Sequence, residues 1–97
     1  MPISGTFYFA PEDRIYADHF PGRAVVPGSL IVHAFLEEAG KAGEFGSSRC
    51  LVEKFSFREF VAPGAYSFSI ETHADRLRCR LYHEGRTVVA GFLKREP

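Results

Sequence analysis

The feature that most constrains this chain is a short segment, residues 29–41, that is apolar on almost every side when drawn as a helix. Pro27-Gly28 breaks the chain immediately before it, and Ser29 is a residue type that favours the N-cap position. We therefore predict a helix from about Ser29 to Lys41. A helix without a polar face must be covered by other parts of the protein. Its apolar residues are Leu30, Ile31, Val32, Ala34, Phe35 and Leu36.

Sequence patterns on both sides of this helix predict the strands that cover it. Residues 3–10 and 13–19 are typical of strands, separated by a turn-forming composition at 11–13. After the helix, four runs of sequence alternate between apolar and polar residues with a period near two. The first run is 50–61 and the last is 87–94, and a hairpin at Glu84-Gly85 precedes the last run. We expect an α+β fold with one central apolar helix wrapped by a curled antiparallel sheet. In two runs Tyr66, Phe68, Ile70 and Thr72 share one face, and Leu77, Cys79 and Leu81 oppose Arg76, Arg78 and Arg80.

Length and composition limit the classes of protein to consider. A chain of 97 residues with 45% hydrophobic residues predicts a single folded domain, residues 1–97. Phenylalanine supplies 10 residues and tryptophan none, so we expect a core of phenylalanine and aliphatic side chains. The net charge is zero, which gives no general electrostatic reason to bind nucleic acid or an anionic membrane. The sequence therefore disfavours both nucleic acid and membranes as binding partners.

Cysteine spacing and the N-terminal residues indicate the cellular compartment. Cys50 and Cys79 are isolated, without CxxC spacing, which favours reduced thiols over a disulfide. The start, MPISGTFYF, has no basic residues followed by an apolar stretch, so no signal peptide is predicted. No apolar run is long enough to cross a bilayer. We expect a soluble cytoplasmic protein.

A candidate site lies between His19 and the predicted helix. Phe20-Pro21-Gly22 and Pro27-Gly28 impose an irregular loop between them. The first turn of the helix would direct unpaired backbone N–H groups and the positive end of the helix dipole toward the region of His19. Such a place suits an oxygen that acquires negative charge. The simpler interpretation is a structural histidine in a proline-rich loop, followed by an ordinary turn and cap.

The segment resembles the hot-dog-fold 3-hydroxyacyl-[acyl-carrier-protein] dehydratases, whose pattern is HFPG, a few residues, PG and an apolar helix with an acidic residue. His19-Phe20-Pro21-Gly22 and Pro27-Gly28 match it, and residues 54–58 and 61–64 resemble a later strand and turn of the family. The resemblance covers roughly residues 6 to 93. It implies a cofactor-free dehydratase in which His19 is the base, while the backbone N–H of Gly28, with Ser29 as a second donor, polarises the thioester carbonyl. The loop residues Phe20, Pro21, Gly22 and Pro27 shape the site.

The resemblance also implies partners and an assembly. The substrate is carried by an acyl carrier protein, and family sites form at a subunit boundary, so we expect a homodimer or an oligomer of dimers. Carrier proteins are acidic, which makes Arg23, beside the site, a docking candidate. Arg76, Arg78 and Arg80 project from one strand face and are further candidates. A solvated strand face is the simpler interpretation of these three.

One position departs from the family pattern. The family acid stands 14 positions after the HFPG histidine, and this chain has His33 there. On an apolar helix we expect His33 to be buried, mostly neutral and a weak acid. Glu37, one turn further on, would hold His33 protonated or act as the acid itself. The alternative is a core histidine and a glutamate at the point where the helix reaches solvent.

The departure at His33 keeps several functions open. The leading prediction is reversible dehydration of a (3R)-hydroxyacyl thioester to a trans-2-enoyl thioester, with His19, His33 and Glu37 as catalytic residues. A second is a catalytically weakened protein that binds acyl chains or serves as the non-catalytic subunit of a dehydratase. Thioester hydrolysis is a third, disfavoured by HFPG. No nucleophile elbow is present, and the spacing of His19, His33 and Glu37 matches no zinc pattern, so neither a serine hydrolase nor a metal site is predicted.

Overall fold

The computed structural model describes residues 2–12, 24–43 and 49–96. These residues form five strands and one helix, which agrees with the predicted α+β class. The predicted strand at 13–19 lies outside the described residues. In chain order the elements are β1 (Ile3–Phe9), α1 (Gly28–Lys41), β2 (Cys50–Phe57), β3 (Gly64–His73), β4 (Arg76–His83) and β5 (Arg86–Arg95).

The five strands make one antiparallel sheet in the order β1-β3-β4-β5-β2. The predicted hairpin at Glu84-Gly85 is confirmed, and both residues have positive φ, 51° and 79°, as a tight turn between twisted strands requires. β1 and β2 lie at the two edges. The sheet curls over α1, an architecture consistent with the predicted hot-dog fold.

The predicted alternation is confirmed in the two central strands. Leu77, Cys79 and Leu81 are buried on the face that packs against α1. The intervening arginines of β4 therefore lie on the opposite face. In β3, Tyr66, Phe68 and Ile70 are buried as predicted, whereas Thr72, near the end of the strand, is exposed.

Phenylalanine and aliphatic side chains together build the core, as the composition predicts. Phe7 stacks on Phe68 with ring centroids 4.0 Å apart, and Phe35 of α1 meets Phe7 edge-on at 5.1 Å. Phe35 also meets Phe68 nearly at right angles. These edge-on and stacked pairs join the helix to β1 and β3 through ring contacts.

The helix is less enclosed than its sequence predicts. Only a stripe formed by Ile31, Phe35 and Ala39 is fully buried against the sheet. Leu30 and Leu36, for example, are only partly buried. The prediction of a helix wrapped on nearly all sides is therefore wrong for the single chain, because the sheet covers one side of α1 and leaves the other side uncovered. Among the described residues, no helix has the length and apolar character needed to span a membrane.

A bulge in β2 changes which residues face the helix. Lys54 has φ 54°, and the register with β5 shifts between Glu53 and Ser56. Before the bulge Val52 pairs with a core position of β5; after it Phe55 turns toward the core. The Phe55 ring lies so close to Gly91 that a Cβ there would collide with it.

β2 also ends earlier than predicted. The strand stops at Phe57 and does not continue to Val61. Beyond it, Val61 is buried in the connection to β3, where its carbonyl accepts a hydrogen bond of 2.7 Å from the N–H of Val26. This bond ties the segment before the helix to the segment after β2. The two segments together frame the start of α1.

Candidate functional site

The helix begins one residue before the predicted Ser29. Pro27 is the N-cap, with extended backbone angles and no side-chain cap. Its carbonyl accepts hydrogen bonds from the N–H groups of Leu30 at 3.0 Å and Ile31 at 3.4 Å. The prediction of Ser29 as N-cap is therefore wrong, because the Pro27 carbonyl already begins the helical hydrogen bonds. The N–H groups of Gly28 and Ser29 precede the first N–H that bonds within the helix.

A cavity of about 200 Å³ opens at this end of the helix. The described residues that line it are almost all apolar, and Glu59 is the only charged residue among them. Gly28 forms part of the wall, where a Cβ would lie 3.0 Å from the Phe57 ring. The absence of a side chain at Gly28 thus keeps the backbone accessible. The lining residues are Val25, Val26, Pro27, Gly28, Ile31, Phe57, Glu59, Phe60 and Val61.

An ion pair fixes the loop that forms one side of the cavity. Arg86 donates two hydrogen bonds of 3.0 Å to the Glu59 carboxylate. These bonds and the positive charge of Arg86 hold the pKa of Glu59 below its ordinary value. Tyr66 donates a hydrogen bond of 2.7 Å to the Ala62 carbonyl in the same loop. Phe60 is 72% exposed at the mouth of the cavity.

His33 and Glu37 lie elsewhere on α1. Their side chains form a contact of 2.6 Å between Nε2 and Oε1, so the predicted pairing is confirmed. The side chains are 64% and 54% exposed, which contradicts the expected burial of His33. Five residues of helix separate His33 from Gly28, a rotation of about 140° around the axis. Neither His33 nor Glu37 lines the cavity.

The other predicted site residues divide into two groups. His19, Phe20, Pro21, Gly22 and Arg23 lie outside the described residues. Arg76, Arg78 and Arg80 lie across the sheet from α1, on the face away from the cavity. Within the described parts of the chain, no three His, Cys, Asp or Glu side chains come together as metal ligands. Both cysteines are free thiols.

Sequence reasoning did not assign seven of the described lining residues to the site: Val25, Val26, Ile31, Phe57, Glu59, Phe60 and Val61. Phe57 reaches the helix because the bulge at Lys54 changes the alternation of β2. Glu59 and Phe60 follow the strand, where periodicity makes no prediction. The only available signal was position, since these residues precede the Val61-Ala62-Pro63-Gly64 turn that resembles the dehydratase family.

Comparisons with known proteins agree with the observed fold. The family model described as ApeI-like, ApeI dehydratase, matches residues 2–91. Among solved structures, the chain is similar to the dehydratase heterocomplex ApeI:P from Xenorhabdus doucetiae, with a TM-score of 0.85 and 20% identity over 99% of this chain and 88% of that one. That identity supports the fold alone. A search of curated proteins gives no match. Since the family model covers nearly the whole sequence, the chain belongs to the ApeI-like dehydratase family.

Proposed function

We propose that this protein is a cytoplasmic dehydratase that acts on (3R)-hydroxyacyl thioesters of an acyl carrier protein. It removes water reversibly to give a trans-2-enoyl thioester and uses no cofactor. The observation that carries the proposal is the apolar cavity opening against Gly28 at the start of α1. An acyl group fits an apolar lining, and a thioester oxygen beside the first helical N–H groups gains a donor as negative charge develops.

The proposed elimination requires three groups. The His19 imidazole takes the proton from the carbon next to the thioester carbonyl, and the electrons of that C–H bond form the new double bond. The N–H of Gly28 polarises the carbonyl oxygen meanwhile. The C–O bond at carbon 3 breaks, and the His33–Glu37 pair supplies the proton that turns the departing hydroxyl into water. Addition of water follows the same steps in reverse.

We further propose that the working unit is a homodimer. In one protomer, the exposed His33–Glu37 pair lies on a different side of α1 from the cavity at Gly28. Among the described strands, β2 lies at an edge of the sheet and exposes Leu51 and Val52, so it offers backbone groups and apolar surface to a second copy. In such a dimer, His33 of the partner subunit would face His19 across the boundary.

The carrier protein must approach the cavity mouth. Arg23 directly precedes the segment in which Val25 lines the cavity, so it is the better docking candidate. Arg76, Arg78 and Arg80 face away from the cavity across the sheet. We therefore assign carrier docking to Arg23.

Hydration of a short enoyl thioester, followed by loss of ultraviolet absorbance, tests the function. The His19→Ala variant should lose about 10²–10⁴-fold in rate, the usual share of a general acid or base. His33→Ala should lose about 100-fold, the low end of that range, and Glu37→Ala should lose less. His73→Ala, an exposed histidine on β3, is the matched control and should keep full activity. Full activity of the His19→Ala variant would contradict the proposed base.

A non-catalytic dehydratase subunit is the second candidate. The observation that favours it is the exposed His33 where the family resemblance expects an acid. The similar solved structure is called a dehydratase heterocomplex, and this name supports a subunit role as the second candidate. If the wild type does not turn over an enoyl thioester but binds acyl carrier protein, this second function replaces the first. Release of free thiol from the thioester would indicate hydrolysis instead.

A further inference from the structure

The face of the sheet opposite α1 has its own concave feature, built from three strands. Arg80 of β4 pairs with Ala90 of β5, and Arg78 pairs with Phe92. Arg58, which follows β2, approaches the same place from the other side of β5. Because Ala90 is small, it leaves a space between the longer side chains on either side. The result is a hollow of about 240 Å³ lined by Arg58, Arg78, Arg80, Ala90, Gly91 and Phe92.

The arginines around this hollow are not neutralised in the way their neighbours are. At the far end of the same face, Arg76 lies 3.6 Å from the Glu53 carboxylate, and Asp75 lies 3.5 Å from the Lys94 ammonium. Across the described ranges, no carboxylate is within 4.0 Å of the guanidinium groups of Arg58 or Arg80.

Arg78 also lacks a carboxylate contact among the residues the structure describes. Its guanidinium lies 3.4 Å from the His73 ring nitrogens and 5.9 Å from the Phe92 ring centroid. Glu71 of β3 is the cross-strand neighbour of Arg78 and the nearest acidic residue in the register. Glu71 and Arg78 nevertheless form no ion pair. The Phe92 ring also holds Arg76 at 4.3 Å, so the aromatic side chain orders this side of the hollow.

We propose that this hollow binds a phosphate group, either free or carried as an ester. Guanidinium groups offer paired N–H donors that match phosphate oxygens, and three arginines line this one small space. A concave space lined by three arginines suits a compact anion, whereas an acidic protein surface would contact charges spread over a flatter area. The site lies across the sheet from the Gly28 cavity and does not depend on the proposed dehydration.

Calorimetric titration of the whole protein with inorganic pyrophosphate at low ionic strength tests the site. Wild type should bind one equivalent per chain, and Arg58→Gln and Arg80→Gln should each weaken binding by about tenfold. Arg80→Lys keeps the charge but loses the paired donors, so it should also weaken binding. Arg49→Gln removes a charge from an exposed residue before β2 and should change binding less than about twofold. Circular dichroism of each variant establishes that the fold is kept.

Further probes identify the source of the phosphate. Tighter binding of 4′-phosphopantetheine than of inorganic phosphate would show that the site takes an ester, and equal binding would show that it takes the free ion. Absence of pyrophosphate binding by the wild type would overturn the proposal. Equal weakening by Arg49→Gln and Arg80→Gln would do the same, since it would indicate only general charge. Tighter binding of polyglutamate than of pyrophosphate would also overturn it and indicate a surface for acidic proteins.

Discussion

The two functional regions of α1 contrast in their surroundings. At the N-terminal end, Gly28 lies against an apolar cavity and offers only backbone donors. On the uncovered side, His33 and Glu37 are exposed and offer ionisable side chains within 2.6 Å of each other. One region can stabilise a developing negative charge without moving a proton. The other can move a proton but is surrounded by water.

This contrast is the reason why we propose that one protomer is an incomplete catalyst. Hydrogen-bond donors in an apolar, water-poor place act strongly on charge that develops nearby. An exposed pair of polar side chains has little such effect, because water competes for both groups. The proposed elimination needs both regions around one substrate. A second copy that covers the outer face of α1 would make the exposed pair part of a closed site.

Among the changes that separate the two regions of α1, the largest expected effect comes from altering the cavity alone. In Gly28→Val, a side chain would push against Phe57 and fill the place where the thioester oxygen meets the N–H. We expect kcat for enoyl thioester hydration to fall by roughly 10²–10³-fold, as when an oxyanion donor is lost. Gly40→Val is the matched control, since a Cβ at Gly40 meets nothing within 4 Å. Activity within about threefold of wild type for Gly28→Val would remove the cavity from the mechanism.

Mixing two inactive variants tests whether the two regions come from different subunits. We expect His19→Ala and His33→Ala each to be about 100-fold less active when assayed alone. Random exchange of subunits makes about half of the dimers mixed, and each mixed dimer has one intact site, so about a quarter of wild-type activity should return. The control is a mixture of His19→Ala with itself through the same denaturation and refolding. No recovery, with exchange shown by native mass spectrometry, would contradict the shared site.

Sequence reasoning succeeded where local periodicity decides the structure. β3 and β4 alternate as predicted because each is a regular strand with one face on the core, as Phe68 and Cys79 show. The predicted alternation was wrong at β2, because Lys54 adopts a positive φ that no sequence feature indicates. A glycine at that position would have suggested the bulge.

Only the local features of the candidate site could be predicted from the sequence. Pro27-Gly28 marks the helix start, and the i, i+4 spacing brings His33 to Glu37, since both are local features. Exposure of His33 could not be read from the apolar run, because it depends on how far the sheet extends around α1. The Glu59–Arg86 pair joins residues 27 positions apart and was likewise beyond local patterns.

A smaller effect is expected from overpacking the core beside the cavity. Gly91→Ala would place a methyl group against the Phe55 ring, whose neighbour Phe57 covers Gly28. We expect the free energy of unfolding to fall by about 1–3 kcal/mol, as for an overpacked core, measured by urea denaturation. In the Phe55→Ala background the same substitution should cost less, because the ring is gone. An equal cost in both backgrounds would show that the close approach of Phe55 does not explain Gly91.

The smallest effect should come from the exposed Glu59–Arg86 pair that holds the loop beside the cavity. Because the folded pKa of Glu59 is lowered by Arg86, the pair stabilises the fold above the ordinary carboxyl pKa of 4.5 and ceases to do so as the pH falls through the lower folded value. Glu59→Gln should therefore lower the Tm slightly at neutral pH and not in strong acid. Arg86→Gln should reproduce this, and the double variant should lose little more. High salt should reduce the difference, since both side chains are exposed. A Tm difference that grows in acid would mean that Glu59 is held by something other than the Arg86 charge.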